Sequence, residues 1–408
     1  MKQLTNESGL SQPDAERAQE VIQEALASVR KHLGMEVAYL SEFVDGQSVF
    51  RSVDAPGLEH LIKAGDMRAL DEVYCNHILA GRLPELIPDT AAEPIAMGMA
   101  ITAAVPIGSH VSVPILRADG TPYGMFCCLS SRPNPTLNAR DLETMKMFAA
   151  LAARNVNAEL DKEQTARLKA RRIRAVMAGD GFTMMFQPIF DIGKPLPVAY
   201  EALCRFAPQP YRSPDQWFND AIEVGLGVDL ELAAIAAAMA AFETLPAHAG
   251  LSVNASPETV ASGRLMEALD PRFLHRTTLE VTEHARVEDY VALRRELTPL
   301  QGLGLTLAVD DAGAGYSGLK HIVQLAPDII KLDMSLTRGI DTDPALRALA
   351  SAMVFYARET GSTVVAEGIE TAEEMSTLQM LGVNRGQGYF LGKPQPLGAL
   401  AGNDALRA

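Results

Sequence analysis

The sequence predicts an α/β protein of two parts, an α+β domain followed by a TIM-type (β/α)8 barrel. Three observations predict it. The chain has 408 residues, enough for two domains that each bury a core. Beyond Gly181, eight short strand-like runs alternate with longer helical ones over roughly 220 residues, close to the ~250 typical of such barrels. Polar side chains recur where those runs end, which is where barrels of this type carry their chemistry.

In the N-terminal half, Ala18, Val21, Ile22, Ala25, Ala27 and Val29 give residues 15–33 the stripe of an amphipathic helix. Strand-like segments follow at 37–40, 111–116 and 123–129. Asp119-Gly120 joins the last two as a hairpin, because that dipeptide supplies the positive φ a tight turn needs. Asn138 is placed to cap a helix whose apolar face runs through Leu142, Met145, Ala149, Ala152, Val156 and Leu160. Between residues 161 and 174 the chain turns strongly charged (Lys162, Glu163, Arg167, Lys169, Arg171, Arg172, Arg174), and the helix is expected to continue through it as a solvated connector.

In the second half the strand-like runs are 182–189, 198–206, 251–254, 278–282, 305–310, 329–334, 363–366 and 388–391. Their ends carry Glu201, Asn254, Glu280, Asp310 with Asp311, Lys331, Glu367 and Gln387. Alternation along a strand puts Glu201 on one face with Leu203 and Arg205, and puts Lys331 with Asp333. Asp310 and Asp311 are neighbours, so both serve one site only where the strand breaks into the glycine-rich loop that follows. Two like charges so placed call for a cation, and oxygen ligands suit a hard divalent one. Gly313-x-Gly315-x-x-Gly318, with Asp333 about 20 residues on, also fits a dinucleotide-binding fingerprint. That reading sets a pyrophosphate beside two carboxylates and ranks well behind a metal site.

A formal net charge of −15 argues against sequence-independent binding of a nucleic acid polymer. Cys75, Cys127, Cys128 and Cys204 show neither CxxC spacing nor a disulfide framework, which suggests a reducing compartment. The eight histidines include no HExxH, so zinc is not indicated. Residues 1–20 lack a hydrophobic signal core, and the longest apolar stretch, 232–242, is too short to span a bilayer. These features together predict a cytoplasmic protein without membrane insertion.

The first half resembles a GAF sensory domain, in its helix–strand order and in the segments YCNHILAGRLPELIPDT (74–90) and VPILRADGTPYGMFCCLSS (113–131). The resemblance implies an unknown small-molecule or redox effector; Cys75 itself is read as a small buried residue. The second half resembles the EAL family of cyclic-di-GMP phosphodiesterases. It carries FQPI (186–189), the tripeptide Glu201-Ala202-Leu203, VNAS (253–256), LEVTE (279–283), DDAGAGYSGL (310–319), IKLD (330–333), AEGIE (366–370) and GQGY (386–389), in the family's order.

Residue by residue, the resemblance implies one metal held by Glu201, Asn254, Glu280 and Asp310. A second is shared through Asp310 with Asp311 and Glu367, both metals being Mg²⁺ or Mn²⁺. Lys331 would stand next to the attacking water, with Glu201 and Glu367 counted beside it as catalytic. Arg205, Gln187, Asp333 and Gln387 would contact substrate, while Glu283 and Glu370 support loops. The family's barrel has one strand reversed, which nothing in the sequence pattern reveals. Its loop usually reads DDFGTGYSSL; here Ala312, Ala314 and Gly318 depart from it, leaving the carboxylates intact. The implied organisation is a tail (1–20), a GAF-like domain (21–158), a helical linker (159–171) and an EAL barrel (172–402), acting as a homodimer. The implied reaction is opening of cyclic-di-GMP to linear 5′-pGpG. The competing expectation is a catalytically silent barrel that senses the same dinucleotide or binds a protein partner.

Overall fold

The computed structural model describes residues 12–179, 181–281, 289–312 and 316–403. The chain divides into two compact units, Met1–Thr165 and Ala166–Ala408.

The first unit is built on α1 (Gln12–Leu33), β1 (Val37–Val44), β2 (Gln47–Asp54), β3 (Met67–Ala69), α2 (Tyr74–Leu79), β4 (Leu86–Ile87), α3 (Pro94–Gly98), α4 (Ala100–Ala104), β5 (Ser109–Leu116), β6 (Pro122–Ser130) and the start of α5 (Ala139–Ala178). Its strands form one antiparallel sheet in the order β3-β2-β1-β6-β5-β4. Strand alternation sorts the side chains into two cores. Ala38, Leu40, Phe126 and Cys128 pack with Leu26 and Val29 of α1 and with Met145, Ala149 and Ala152 of α5. Val37, Tyr39, Met125 and Cys127 face the other way, toward Tyr74, Cys75 and Ile78 of α2. Because both faces are covered, β6 reads as a nearly continuous apolar run. The expected hairpin is present, with Gly120 at φ 83° and Arg117 N–H donating to Thr121 O at 2.8 Å. Asn138 does cap α5, its Oδ1 accepting the Arg140 N–H at 2.9 Å. The 40 residues of α5 run without a break through the charged stretch.

The second unit holds β7 (Phe182–Asp191), β8 (Pro197–Phe206), α6 (Pro214–Glu223), α7 (Gly227–Met239), β9 (Gly250–Ala255), α8 (Pro257–Ala261), β10 (Thr277–Val281), α9 (Tyr290–Gly302), β11 (Thr306–Ala312), α10 (Tyr316–Leu325), β12 (Ile329–Leu332), α11 (Met334–Thr337), α12 (Pro344–Thr360), β13 (Thr363–Ala366), α13 (Ala372–Leu381), β14 (Arg385–Gly386), β15 (Gln395–Pro396) and α14 (Leu397–Asn403). Strands β7 to β14 pair in sequence order, and β14 closes on β7 to complete an eight-stranded barrel. Strand β7 is antiparallel to both β8 and β14, whereas β8 to β14 are mutually parallel. It is the reversed strand.

Three strand assignments need correction. Residues 388–391 are a turn rather than a strand, and β14 is the two residues before Gln387. A Cβ on Gly388 would lie 2.1 Å from Ile369 O, so the backbone there packs against the loop after β13. Leu391 and Gly392 both donate N–H to Gly388 O, which closes the turn. At β12 the strand stops at Leu332; Asp333 caps α11 through Ser335 N–H at 2.9 Å, and Met334 begins that helix. At β11 the strand does not end at Asp310 but continues to Ala312.

The last difference has a geometric cause that shapes the site. In the β11–β12 register, Val309 lies opposite Ile330 and Ala312 opposite Leu332, so Asp310 and Asp311 together face the single residue Lys331. This is a bulge, and Asp311 takes the left-handed conformation, φ 55°. The extra residue cancels the alternation that would send the two carboxylates to opposite faces.

Candidate metal site at one end of the barrel

The barrel interior carries an apolar layer of Ile189, Ala308, Ile329 and Val365, with Ala199 packed against it. Period-two alternation then places the next inward residue of each parallel strand one layer higher: Glu201 on β8, Asp310 on β11, Lys331 on β12 and Glu367 just past β13. Strand β7 runs the other way, so its residue at that level is Gln187, two before Ile189 rather than two after. Gln187 lies opposite Glu201 in the β7–β8 register, and Glu280 lies opposite Asn254 in β9–β10.

Lys331 is at the centre of this layer, with its side chain 1% exposed. Its Nζ lies 2.6 Å from Glu280 Oε2, 2.6 Å from Glu367 Oε1, 3.2 Å from Asp310 Oδ1 and 3.5 Å from Glu201 Oε2. Asp310 Oδ1 is buried and, among the described residues, accepts no hydrogen bond despite that proximity. Glu201 is held by amides: Asn254 donates to its Oε1 at 3.1 Å and Gln387 to its Oε2 at 2.7 Å. Gln387 also donates to Gln187 Oε1 at 3.1 Å, and Gln187 in turn donates to Gly392 O at 3.1 Å. One chain of amides therefore runs from the loop after β14 to the Glu201 carboxylate.

Five carboxylates (Glu201, Glu280, Asp310, Asp311, Glu367) and one ammonium leave a formal charge of −4 in a largely buried pocket. The protonation equilibria reflect it. Burial, reinforced by the Glu201 and Asp310 charges, pushes Glu280 up to about 8 against the pull of Lys331. Glu367 is raised well above the carboxylate range for the same reasons. Burial also works against a charged Glu201, but Lys331 and the two amides outweigh it and hold its pKa below the usual value. For Lys331 burial favours the neutral amine, and the surrounding carboxylates overcome it and raise the pKa well above normal. Asp310, Asp311 and Glu367 each present a ligand oxygen, all within 4.8 Å of one another. An oxygen-only set with excess negative charge and a buried, unbonded carboxylate oxygen fits a hard divalent cation.

The other expected residues are distributed around this layer. Arg205 shares the Glu201 face of β8, and its Nη1 donates to Cys204 O at 2.8 Å. Asp333 spends one carboxylate oxygen on capping α11, so the ribose role of the dinucleotide fingerprint competes with a local backbone bond. Glu370 forms an exposed ion pair with Arg338. Glu283, Gly313 and Gly315 lie outside the described residues. Ala312, one of the loop departures, is fully buried in the main core.

Two supporting acids escaped the sequence reading. Glu374 accepts N–H bonds from Gly339, Glu370 and Thr371, tying the loop after Glu367 to the loop after α11. Its signal was legible, since Thr371-x-x-Glu374 is a capping box. Glu231 accepts from both N–H and Oγ of Ser256, fixing the turn after Asn254. No local pattern marks it, because its partner is 25 residues away. Gly368 has its own requirement: φ is 67° and a Cβ would sit 2.5 Å from that of Met334, immediately after Glu367.

A closed barrel with its charged residues gathered at the ends of separate strands defines an α/β barrel whose chemistry sits at one rim. The chain belongs to the EAL domain family, whose model matches residues 170–394. Residues 15–157 match the GAF domain model. A cyclic di-GMP phosphodiesterase of Pseudomonas aeruginosa, PA2567, is 32% identical over 233 residues, covering 54% of this chain and 40% of that protein. The Escherichia coli cyclic di-GMP phosphodiesterase PdeF is 28% identical over 238 residues, covering 55% of this chain and 32% of its own length. The chain thus spans less than half of these curated relatives. Among solved structures, the PaMucR phosphodiesterase in complex with c-di-GMP is 27% identical with a TM-score of 0.51, covering 57% of this chain and 99% of that one. An EAL domain protein of Listeria monocytogenes, 23% identical with a TM-score of 0.52 over 58% of this chain and 98% of its own, shares the fold. No described helix is long and apolar enough to cross a membrane.

Proposed function

We propose that the chain is a metal-dependent phosphodiesterase that opens cyclic-di-GMP to linear 5′-pGpG. The observation that carries this reading is the buried layer in which four carboxylates surround one lysine, with a fifth, Asp311, beside Asp310 and Glu367, so that one ammonium faces an excess of negative charge. The relatives' names supply the substrate. Glu201, Asn254, Glu280 and Asp310 would hold one cation, and Asp310, Asp311 and Glu367 a second, either Mg²⁺ or Mn²⁺. Such a pair supplies an acidified water and neutralises charge on the phosphoryl oxygens.

The chain's own residues do the rest. The Lys331 ammonium, fixed by its carboxylate neighbours, donates toward the attacking oxygen and stabilises the negative charge that grows there. Arg205 pairs with a phosphate oxygen, and the Gln187–Gln387 relay keeps Glu201 in place. Water adds to phosphorus, the bond to the 3′ oxygen breaks, and that oxygen takes a proton; one ring phosphodiester becomes a 5′-phosphate and a 3′-hydroxyl. The barrel is assigned to residues 172–402 and a sensory domain to 21–158, joined by a helical linker at 159–171. A ligand or redox event in the sensory domain sets the activity of a homodimer.

Glu201→Ala tests the site. It loses a carboxylate whose partners are all side chains, so turnover falls by at least a hundredfold while the melting temperature stays near wild type. Near-normal turnover would take Glu201 out of the site. Tight binding of cyclic-di-GMP without cleavage by the unmodified chain would make it a sensor instead.

A further inference from the structure

The first unit contains a cavity of about 180 Å³ between the sheet and its outer helices. Its wall is mostly apolar: Phe50, Leu61, Ile62, Val73, Ile101 and Ile107 are among the lining residues. An apolar cavity of ~150 Å³ holds a benzene molecule, so this one suits a single ring with one or two small substituents.

The polar groups on the wall divide into those already engaged and those that are not. Glu36 accepts from Ser131 N–H at 2.7 Å and from its hydroxyl at 3.1 Å. The Tyr74 hydroxyl is bonded to Thr102 Oγ1 at 2.6 Å. The Tyr39 hydroxyl lies against the thiols of Cys75 and Cys127. Two groups keep unused capacity. His110, 2% exposed, meets the Cys127 thiol and packs its ring edge-on to Tyr74 at 5.0 Å, but its Nδ1 has no hydrogen-bond partner among the described residues. Arg68 is half-buried, donates only to the neighbouring Met67 carbonyl, and has no carboxylate partner among the described residues. An unpaired buried imidazole nitrogen costs free energy that a ligand can recover, and an unpaired guanidinium is matched by a carboxylate.

We infer that this cavity binds a small monocyclic aromatic acid: the ring fills the apolar space, the carboxylate pairs with Arg68, and a second polar substituent meets His110. The inference names the ligand class for the sensory role proposed above, and its test reads binding alone, so it stands or falls separately from hydrolysis.

The experiment is calorimetric titration of the full chain with 4-hydroxybenzoate, benzoate and the neutral 4-hydroxybenzamide. One 4-hydroxybenzoate is expected per chain, with the amide at least tenfold weaker. Arg68→Leu should weaken the acid about tenfold and leave the amide unchanged. His110→Leu should remove the preference for 4-hydroxybenzoate over benzoate. Leu61→Trp, at an exposed wall position, should block all three while the thermal transition of the unit is retained. Absence of binding by all three compounds overturns the inference. So does binding that Leu61→Trp does not affect, or equal affinity for acid and amide.

Discussion

Replacing Lys331 by Met removes one positive charge from among four carboxylates at 2.6 to 3.5 Å, in a position with almost no access to water. Met keeps most of the side-chain volume, so packing is nearly conserved and the change is electrostatic. Breaking a buried ion pair by deleting one partner costs about 3–5 kcal/mol, because the remaining charge is left uncompensated. At roughly 2–4 °C per kcal/mol for a unit of this size, the barrel transition should fall by about 6–20 °C in chelator. The loss should be larger at pH 8.5 than at pH 6, since protons on Glu280 and Glu367 relieve the repulsion at the lower pH. Differential scanning calorimetry of the full chain in EDTA, at both pH values, measures it. A barrel transition within 2 °C of wild type at pH 8.5 would refute the reasoning, for it would mean that the four acids do not feel the lysine.

The wild-type barrel should carry a pH signature of its own. Glu280 is raised to about 8, so between the ordinary carboxyl range and that value the folded state binds more protons than the unfolded one, and stability without metal falls as pH rises through this window. Millimolar Mg²⁺ or Mn²⁺ should flatten that slope in thermal scans, and a slope of the opposite sign would contradict the assignment. Asp311→Asn keeps a residue that tolerates the left-handed backbone but removes a charge. It should leave or raise metal-free stability and reduce the melting shift produced by Mn²⁺; an undiminished shift would exclude Asp311 as a ligand. Glu374→Ala strips three backbone N–H groups of their acceptor and should cost about 1–3 kcal/mol in urea unfolding. A cost below 0.5 kcal/mol would show that water replaces it.

Much of the barrel was legible because its strands are short apolar runs separated by amphipathic helices, and because period-two alternation carries a polar residue up from each apolar interior position. The strand at 363–366 follows directly from that pattern. The failures have physical causes. Residues 388–391 have the composition of a strand, yet Gly388 lies against the Ile369 backbone and the chain turns there, leaving Tyr389 and Phe390 exposed. The bulge at Asp310–Asp311 depends on pairing with β12, which no local window contains. The reversal of β7 is equally hidden: a strand buried in a barrel has the same composition in either direction, and only the family resemblance announced it. In the first unit, β3 and β4 escaped because they are short edge segments and β2 because most of its residues are polar, while the β5–β6 hairpin announced itself through Asp119-Gly120.

Manganese anomalous diffraction from crystals of the chain grown with Mn²⁺ and a non-cleavable cyclic dinucleotide analogue bears most directly on the acidic layer. The account predicts two peaks about 3.5–4 Å apart, one touching Glu201, Asn254 and Glu280, the other Asp311 and Glu367, with Asp310 between them. A map with no peak among those oxygens would contradict it.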